Sequence, residues 1–249
     1  MNTPLHIHRD VFPVRAYESG VNNRVTLPAY CNYFQELAGE HANRLGVGIH
    51  TLQQGQHTWM LARLRLRIHR YAAWQEHVHV TTWPAALRGR LIALRDVQMF
   101  DQDHDPLVEG VSEWMIVDLR TRRLTRLPPD LAELAPEGTP RVNLPDEGEA
   151  FPDFTAANSE TTILVRNSDH DFNNHVNNVH YVEWGLEAVD PAWCGERAID
   201  FLDIAFKAEA RAGETIHCEI QILDDHHLLH RMQRVADRET VALMRTTWR

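Results

Sequence analysis

The chain has 249 residues, 43% of them apolar and 24% charged, with a formal net charge of −10 at pH 7. This length buries a real core in one large domain or two small ones, and the acidity argues against general nucleic-acid binding, which needs a basic footprint. No run of about 18 apolar residues predicts a membrane span; the opening MNTPLHIHRD does not read as a signal peptide; and Cys31, Cys194 and Cys218 give neither a disulfide framework nor a CxxC site, which fits a reducing cytoplasm.

In chain order, the first clear element is a helix. Pro28 suits a first helical position, Tyr30, Phe34, Leu37, His41 and Leu45 share one stripe, and Gly46 closes the end. Strands follow. Leu64, Leu66 and Ile68 alternate with Arg63, Arg65 and Arg67, the period-two signature of a half-buried strand. Val78, Val80 and Thr82 alternate with His77, His79 and Thr81, and LIALRDVQMFD and VEGVSEWMIVD continue in kind. The stretch 127–160 holds six prolines and little periodicity. A short helix is expected around 129–134 and a linker over 136–160.

The densest polar stretch comes next: VRNSDHDFNNHVNNVHYVEW, residues 165–184. Asn177 or Asn178 can cap a helix; Val179, Val182, Leu186 and Val189 recur at helical spacing; Pro191 stops the run. Leu202, Ile204 and Phe206 make one strand face, and Ile216, Cys218, Ile220 and Ile222 another, before LLHRMQRVAD and TVALMRTTW. DDHHLLH (224–230) is read as a polar hairpin turn, because no further ligand set with zinc-like spacing accompanies it.

The two halves are one pattern used twice. VRAYESGVNNRVTLPAYCNYFQELA (14–38) lies over VRNSDHDFNNHVNNVHYVEWGLEAV (165–189) without a gap, at an offset of 151. Val14 meets Val165, Arg15 meets Arg166, Glu18 meets Asp169, Asn22 meets Asn173, Tyr30 meets Tyr181 and Glu36 meets Glu187. Each copy is a helix followed by an antiparallel meander. A long helix that is mostly apolar or aromatic must be covered on most sides, and a sheet curled around it does so. The expected fold class is α+β, a tandem (double) hot-dog fold. Its parts are a first repeat over 1–135, the linker, and a second repeat over 161–249.

The copies differ where chemistry is possible. Gly20, Asn22 and Arg24 stand where the second copy has Asp171, Asn173 and His175. Counting from Glu76 and Glu214, at an offset of 138, Tyr71 stands where the second copy has Glu209. Each residue also has a plain alternative. Asn173 can bond only its turn, Asp171 can make an Asx-turn, His175 can be satisfied near a helix start, and Glu209 beside Lys207 can lie on a solvated face. Arg15 and Arg166 recur in both copies and look structural, pairing with Glu18 and Asp169 or with a backbone turn.

These residues resemble the acyl-acyl carrier protein thioesterases of plant plastids and their bacterial relatives. The resemblance covers nearly the whole chain, through YESGVNNRVTLPAYCNYFQELAGEHANRLG, YAAWQEHVHVTTW, SEWMIVDLRTRRLTRLP and, most specifically, DHDFNNHVNNVHYVEW. It implies a tandem hot-dog fold with a non-catalytic first repeat and catalytic residues in the second. The family's Asp-x-Asn-x-His motif falls on Asp171, Asn173 and His175. Its later glutamate, in a Tyr-Arg-Arg-Glu-Cys block, falls on Glu209 in FKAEA. Ala210 stands where plant members carry cysteine, so a cysteine nucleophile at that place is impossible. The absence of a plastid transit peptide fits a bacterial cytoplasmic enzyme.

Thioester hydrolysis needs activated water, a stabilised oxyanion and a leaving thiolate. The last is a good leaving group, with a reference pKa near about 8.5. Glu209 or Asp171 can act as general base, His175 can orient the water, and Asn173 can hold the carboxylate or the substrate carbonyl. Backbone N–H groups around Val176–Asn178 can face the oxyanion, and direct attack by Asp171 through an anhydride is a further route. No metal or cofactor is called for. Trp59, Met60, Leu61 and Trp83 are candidates for the floor of an acyl slot, with simple core as their plain reading. The expected partner is an acyl carrier protein bearing the acyl chain, with no nucleic acid and no membrane; a homodimer is compatible. An acidic carrier protein would dock on a basic patch, either Arg88, Arg90 and Arg95, or Arg120, Arg122, Arg123 and Arg126. An acyl-CoA thioesterase of the same fold and a non-catalytic acyl-binding module are the alternatives.

Overall fold

A computed structural model describes residues 6–135, 138–144, 149–171, 175–195 and 197–249. The chain divides into two units, Met1–Ala62 with Leu66–Pro145, and Arg63–Arg65 with Asp146–Arg249.

The first unit begins with strand β1 (His8–Pro13) and a 3-10 turn over Ala16–Glu18. Helix α1 (Leu27–Arg44) and the short α2 (Ile49–Gln54) follow. The meander is β2 (His57–Ile68), β3 (His77–Arg88), β4 (Ile92–Phe100), β5 (Pro106–Asp118) and the two-residue β6 (Leu124–Thr125), ending in a 3-10 turn at Pro129–Leu134. The strand order is β1-β3-β4-β5-β2, with β6 beside β5. Helix α1 starts one residue earlier than Pro28 suggests. Thr26 is the cap, its hydroxyl accepting the Ala29 N–H at 3.3 Å, and Pro28 is the second helical residue. Tyr30, Phe34, Leu37 and His41 are all buried as the stripe requires, and Gly46 at φ +73° ends the helix. Each fully buried Phe or Leu of this kind contributes roughly 1.5–3 kcal/mol.

The second unit repeats the plan with β7 (Ser159–Leu164), a 3-10 turn at Asn167–Asp169, helix α3 (Asn178–Glu187), the short α4 (Pro191–Cys194), and β8 (Ile199–Phe206), β9 (Thr215–Ile222), β10 (His227–Arg234) and β11 (Thr240–Trp248). Its strand order is β8-β11-β10-β9-β7. Asn177 is the cap of α3, accepting the Val179 N–H at 3.0 Å. Pro191 does not stop this helix, which has already ended at Glu187; it opens α4. A proline there loses no hydrogen bond, because the first N–H of a helix has no helical partner. Helix α3 lies directly on the sheet: a β-carbon at Gly185 would collide with Met244 Cε and come within 3.0 Å of Met232 Cε. Each unit is thus a helix on an antiparallel sheet, a hot-dog repeat.

Local hydrogen bonds reproduce the sequence match residue by residue. The Arg15 N–H reaches the Glu18 carboxylate at 2.8 Å, and the Arg166 N–H reaches that of Asp169 at 2.8 Å. The Thr26 N–H donates to Glu18 O and the Asn177 N–H to Asp169 O, at 2.8 and 2.9 Å. The Val14 N–H donates to Glu76 O and the Val165 N–H to Glu214 O, at 2.8 and 2.9 Å, so the offset of 138 holds as well.

The expected linker is held at both ends. In the first unit, Pro140 O accepts the Trp83 indole N–H at 2.8 Å, and Asp96 accepts the Val142 N–H at 2.7 Å. In the second, the Thr155 N–H donates to Gln221 and Phe154 lies under the Arg231 guanidinium. Of DDHHLLH, residues 224–226 lie in the turn between β9 and β10 and His227–His230 already belong to β10, with the His227 ring 2.8 Å from Asp224.

Candidate active site

In the second unit the polar run after the 3-10 turn closes on itself. The Asp171 N–H donates to His175 O at 2.8 Å, the His175 N–H faces Asp171 Oδ1 at 3.4 Å, and His170 bridges Val176. The turn delivers the chain into the cap of α3. Asp171 and His175 are half-buried on it. Asn173 lies outside the described residues.

Glu209 arrives from a different direction, on the loop after β8. Its Oε1 lies 3.4 Å from His175 Nδ1, and the two side chains are 41% and 38% exposed. A carboxylate and an imidazole are therefore adjacent and open to water, which is what activating a water molecule requires. The peptide that follows Glu209 is gripped on both sides. Arg234 of β10 donates to Glu209 O at 2.7 Å, and the Ala210 N–H donates to the Tyr181 phenol oxygen of α3 at 2.9 Å. Burial, with the Glu209 charge adding to it, pushes the Tyr181 phenol up to about 12. Tyr181 therefore stays neutral.

The first unit has the same turn without the chemistry. The Gly20 N–H donates to Arg24 O at 2.8 Å, and Ser19 bridges Val25. Asn22 accepts the Arg24 N–H at 3.1 Å, and the Arg24 guanidinium reaches Tyr71 O at 3.2 Å.

Other expected residues fall less neatly. The Asn177 N–H is spent on Asp169 O, so it does not face an oxyanion. Arg95 is not part of a docking surface. It is buried, with its guanidinium at 3.0 Å from His41 Nδ1, and burial lowers its pKa to about 10. Both faces of β4 are covered there, since Leu94, Asp96 and Val97 are buried too. Arg88 pairs with Glu113 at 2.6 Å. Arg120, Arg122, Arg123 and Arg126 are all exposed around β6. Leu61 and Trp83 are buried, Met60 is exposed, and the Trp59 indole donates to Val47 O at 2.7 Å while packing on Ile116, Leu127 and Leu131. Cys31 and Cys218 are buried, and burial pushes the Cys218 thiol up to about 12. Among the described residues no group of three or more His, Cys, Asp or Glu side chains is arranged to hold a metal ion.

Sequence reasoning did not single out Arg234 or assign a role to Tyr181. Tyr181 carried a signal, its match with Tyr30; Arg234 carried none, because its partner at the site is a backbone carbonyl.

Residues 6–135 match the family model described as acyl-ACP thioesterase N-terminal domain, and residues 153–249 the one described as acyl-ACP thioesterase C-terminal domain. The chain is 27% identical over 226 residues to an oleoyl-acyl carrier protein thioesterase of Coriandrum sativum, covering 84% of this chain and 61% of that protein. It is 29% identical over 215 residues to a dodecanoyl-[acyl-carrier-protein] hydrolase of Cinnamomum camphora, covering 82% and 56%. The chain thus spans less than two thirds of the length of these relatives. Among solved structures, a 12:0-ACP thioesterase from Umbellularia californica superposes with a TM-score of 0.88 at 24% identity, covering 100% of this chain and 99% of that one. An acyl-ACP thioesterase from Bacteroides thetaiotaomicron superposes with a TM-score of 0.86 at 23% identity, covering 98% of each chain. At such identities the superpositions speak to the fold.

Proposed function

Starting from the fact that the chain belongs to the acyl-ACP thioesterase family, we propose that it hydrolyses the thioester of acyl-acyl carrier protein and releases a free fatty acid. The observation that carries the reading is the 3.4 Å approach of Glu209 to His175 beside the Asp171 turn, in the second unit. At the matching positions of the first unit stand Tyr71, Arg24 and Gly20.

In this mechanism Glu209 takes a proton from water, and His175 orients that water or shares the proton. The hydroxide attacks the thioester carbon, and the tetrahedral intermediate expels the carrier's thiolate, which needs little acid assistance given its reference pKa near about 8.5. Asp171 holds the turn that presents His175, and the amide of Asn173, which lies outside the described residues, is assigned the carboxylate or the substrate carbonyl as its partner. The route needs no cysteine, consistent with Ala210 after Glu209.

The carrier protein, acidic as the family resemblance implies, docks on the exposed Arg120, Arg122, Arg123 and Arg126. The same reading includes work in a bacterial cytoplasm and allows a homodimer, which sedimentation would reveal. Among the described residues no helix is long and apolar enough to cross a membrane.

The test is a panel of acyl-acyl carrier protein substrates assayed for free thiol, beside matched acyl-CoA. Preferential turnover of the carrier-protein forms supports the reading. Preference for acyl-CoA moves it to the related coenzyme substrate, and no turnover of either overturns it.

A further inference from the structure

The peptide bond between Glu209 and Ala210 is held at both polar ends by side chains from two other elements. Its carbonyl accepts from Arg234 at 2.7 Å, and its N–H donates to Tyr181 at 2.9 Å. Arg234 is itself fixed by Glu214 at 3.2 Å, Asp237 at 2.6 Å and Glu239 at 2.9 Å. Tyr181 is fixed by burial against Trp184 and Phe206, with ring centroids at 5.0 and 5.7 Å. A loop residue loses its backbone freedom when its peptide plane is pinned in this way. Glu209 is the residue whose placement matters most, because it must lie within reach of a shared water.

The first unit clamps the equivalent peptide with different parts. The Ala72 N–H donates to Tyr30 at 2.8 Å, as Ala210 does to Tyr181. The Tyr71 carbonyl, however, accepts from Arg24, which occupies the position of His175. The arginine that binds the matched glutamate also comes from a different place. Arg70, in the loop after β2, pairs with Glu76 at 2.8 Å in the first unit, while Arg234 at the end of β10 pairs with Glu214 in the second. In the second unit Arg234 therefore performs two tasks that Arg70 and Arg24 share in the first. Position 175 is relieved of the carbonyl bond, and its imidazole turns to the Glu209 carboxylate instead.

We infer that Arg234 and Tyr181 are positioning residues for the hydrolytic reaction: they fix the Glu209–Ala210 peptide so that the Glu209 carboxylate meets His175. The inference rests on the proposed thioesterase reading.

The test is a matched pair, Tyr181→Phe and Tyr30→Phe, with Arg234→Met and Glu209→Gln alongside. Turnover of acyl-acyl carrier protein is measured per folded enzyme, with circular dichroism and Tm recorded. Tyr181→Phe and Tyr30→Phe each delete one buried acceptor for the same kind of N–H, so both should lower Tm. Tyr181→Phe and Arg234→Met should lower kcat by about tenfold or more with KM little changed, as expected when a reacting group is misplaced. Tyr30→Phe should leave kcat unchanged. Equal kcat for Tyr181→Phe and wild type, with Glu209→Gln inactive, overturns the positioning role while leaving the thioesterase reading in place. Wild-type kcat in Glu209→Gln overturns the assignment of the base itself. If Arg234→Met does not fold, the tyrosine pair decides.

Discussion

Oε1 of Glu209 lies 3.4 Å from Nδ1 of His175, although 34 residues separate them along the chain. Glu209→Gln keeps the shape of that side chain and removes the base. The expected loss is about 10² or more in the rate of hydrolysis, the usual worth of a general base, with little change in substrate binding. The measurement is single-turnover release of thiol from acyl-acyl carrier protein. A rate within a few-fold of wild type would transfer the role of base to Asp171.

The two units should respond unequally to matched substitutions. Asp171→Ala and His175→Ala are expected to abolish most turnover while the circular dichroism spectrum stays native. Asn22→Ala removes an acceptor for the Arg24 N–H and should leave the chemistry nearly unchanged. Comparable losses from Asn22→Ala and Asn173→Ala, both folded, would argue against a single site in the second unit.

Thiol reagents should not abolish the proposed thioester hydrolysis through chemistry. Cys218 and Cys31 are buried, the Cys218 thiol is pushed up to about 12, and burial raises the partly buried Cys194 as well. Neither Cys194 nor Cys218 is poised as a thiolate, and Cys31 is shielded by burial. Stoichiometric loss of activity with a small alkylating reagent, relieved by Cys194→Ser, would place a cysteine at or beside the site.

Stability should fall as the pH is lowered below neutrality, in part because of His230. Its ring donates from Nδ1 to Gly185 O at 3.0 Å, and its Nε2 meets the Thr246 hydroxyl at 2.8 Å. Burial lowers its pKa to about 4. Above about 6.5 both folded and unfolded chains carry neutral imidazole. Between there and about 4 the unfolded chain binds the proton and the folded one does not, so stability drops as pH falls through that window. The full loss is on the order of 3 kcal/mol. Urea midpoints from pH 7.5 to 4.5 should slope less in His230→Gln than in wild type; parallel slopes would refute the assignment.

Much of this architecture was legible because it is written in period-two alternation and in a repeated run of turn residues. Asn22 matches Asn173 and Tyr30 matches Tyr181 without a gap, and that alone located the duplicated helix. The strands that open each unit were not legible. In β7, Ser159–Leu164, apolar Ile163 and Leu164 sit side by side, and in β1, His8–Pro13, charges and a proline break any alternation. Edge strands of this kind are recruited by backbone pairing to β3 and β9, which leaves little mark on side-chain order. Arg95 misled for the opposite reason: β4 is covered on both faces there, so alternation no longer separates inside from outside. The site's charged residues could be found by comparing the two copies. Their supports could not, because Arg234 and Tyr181 act on a peptide group, which every residue possesses.

The exchange of arginines between the units bears on attempts to graft a second centre onto this scaffold. Writing the visible triad into the first unit, with Gly20→Asp, Arg24→His and Tyr71→Glu, would remove the guanidinium that satisfies the carbonyl at position 71. The carbonyl beside the transplanted carboxylate would then lose the guanidinium that now holds it, while the neighbouring N–H would keep its bond to Tyr30. A working retrofit would need a donor delivered from just past β4 as Arg234 is from the end of β10: Arg234 pairs in register with Ile216, whose match Val78 comes opposite Asp101, one residue beyond the His79–Phe100 pair, and the Asp101 carboxylate binds Arg70 at 2.6 Å. Inverting that ion pair is therefore part of the transplant, and a design that copies only the proposed reacting groups would leave out the peptide clamp that holds one of them.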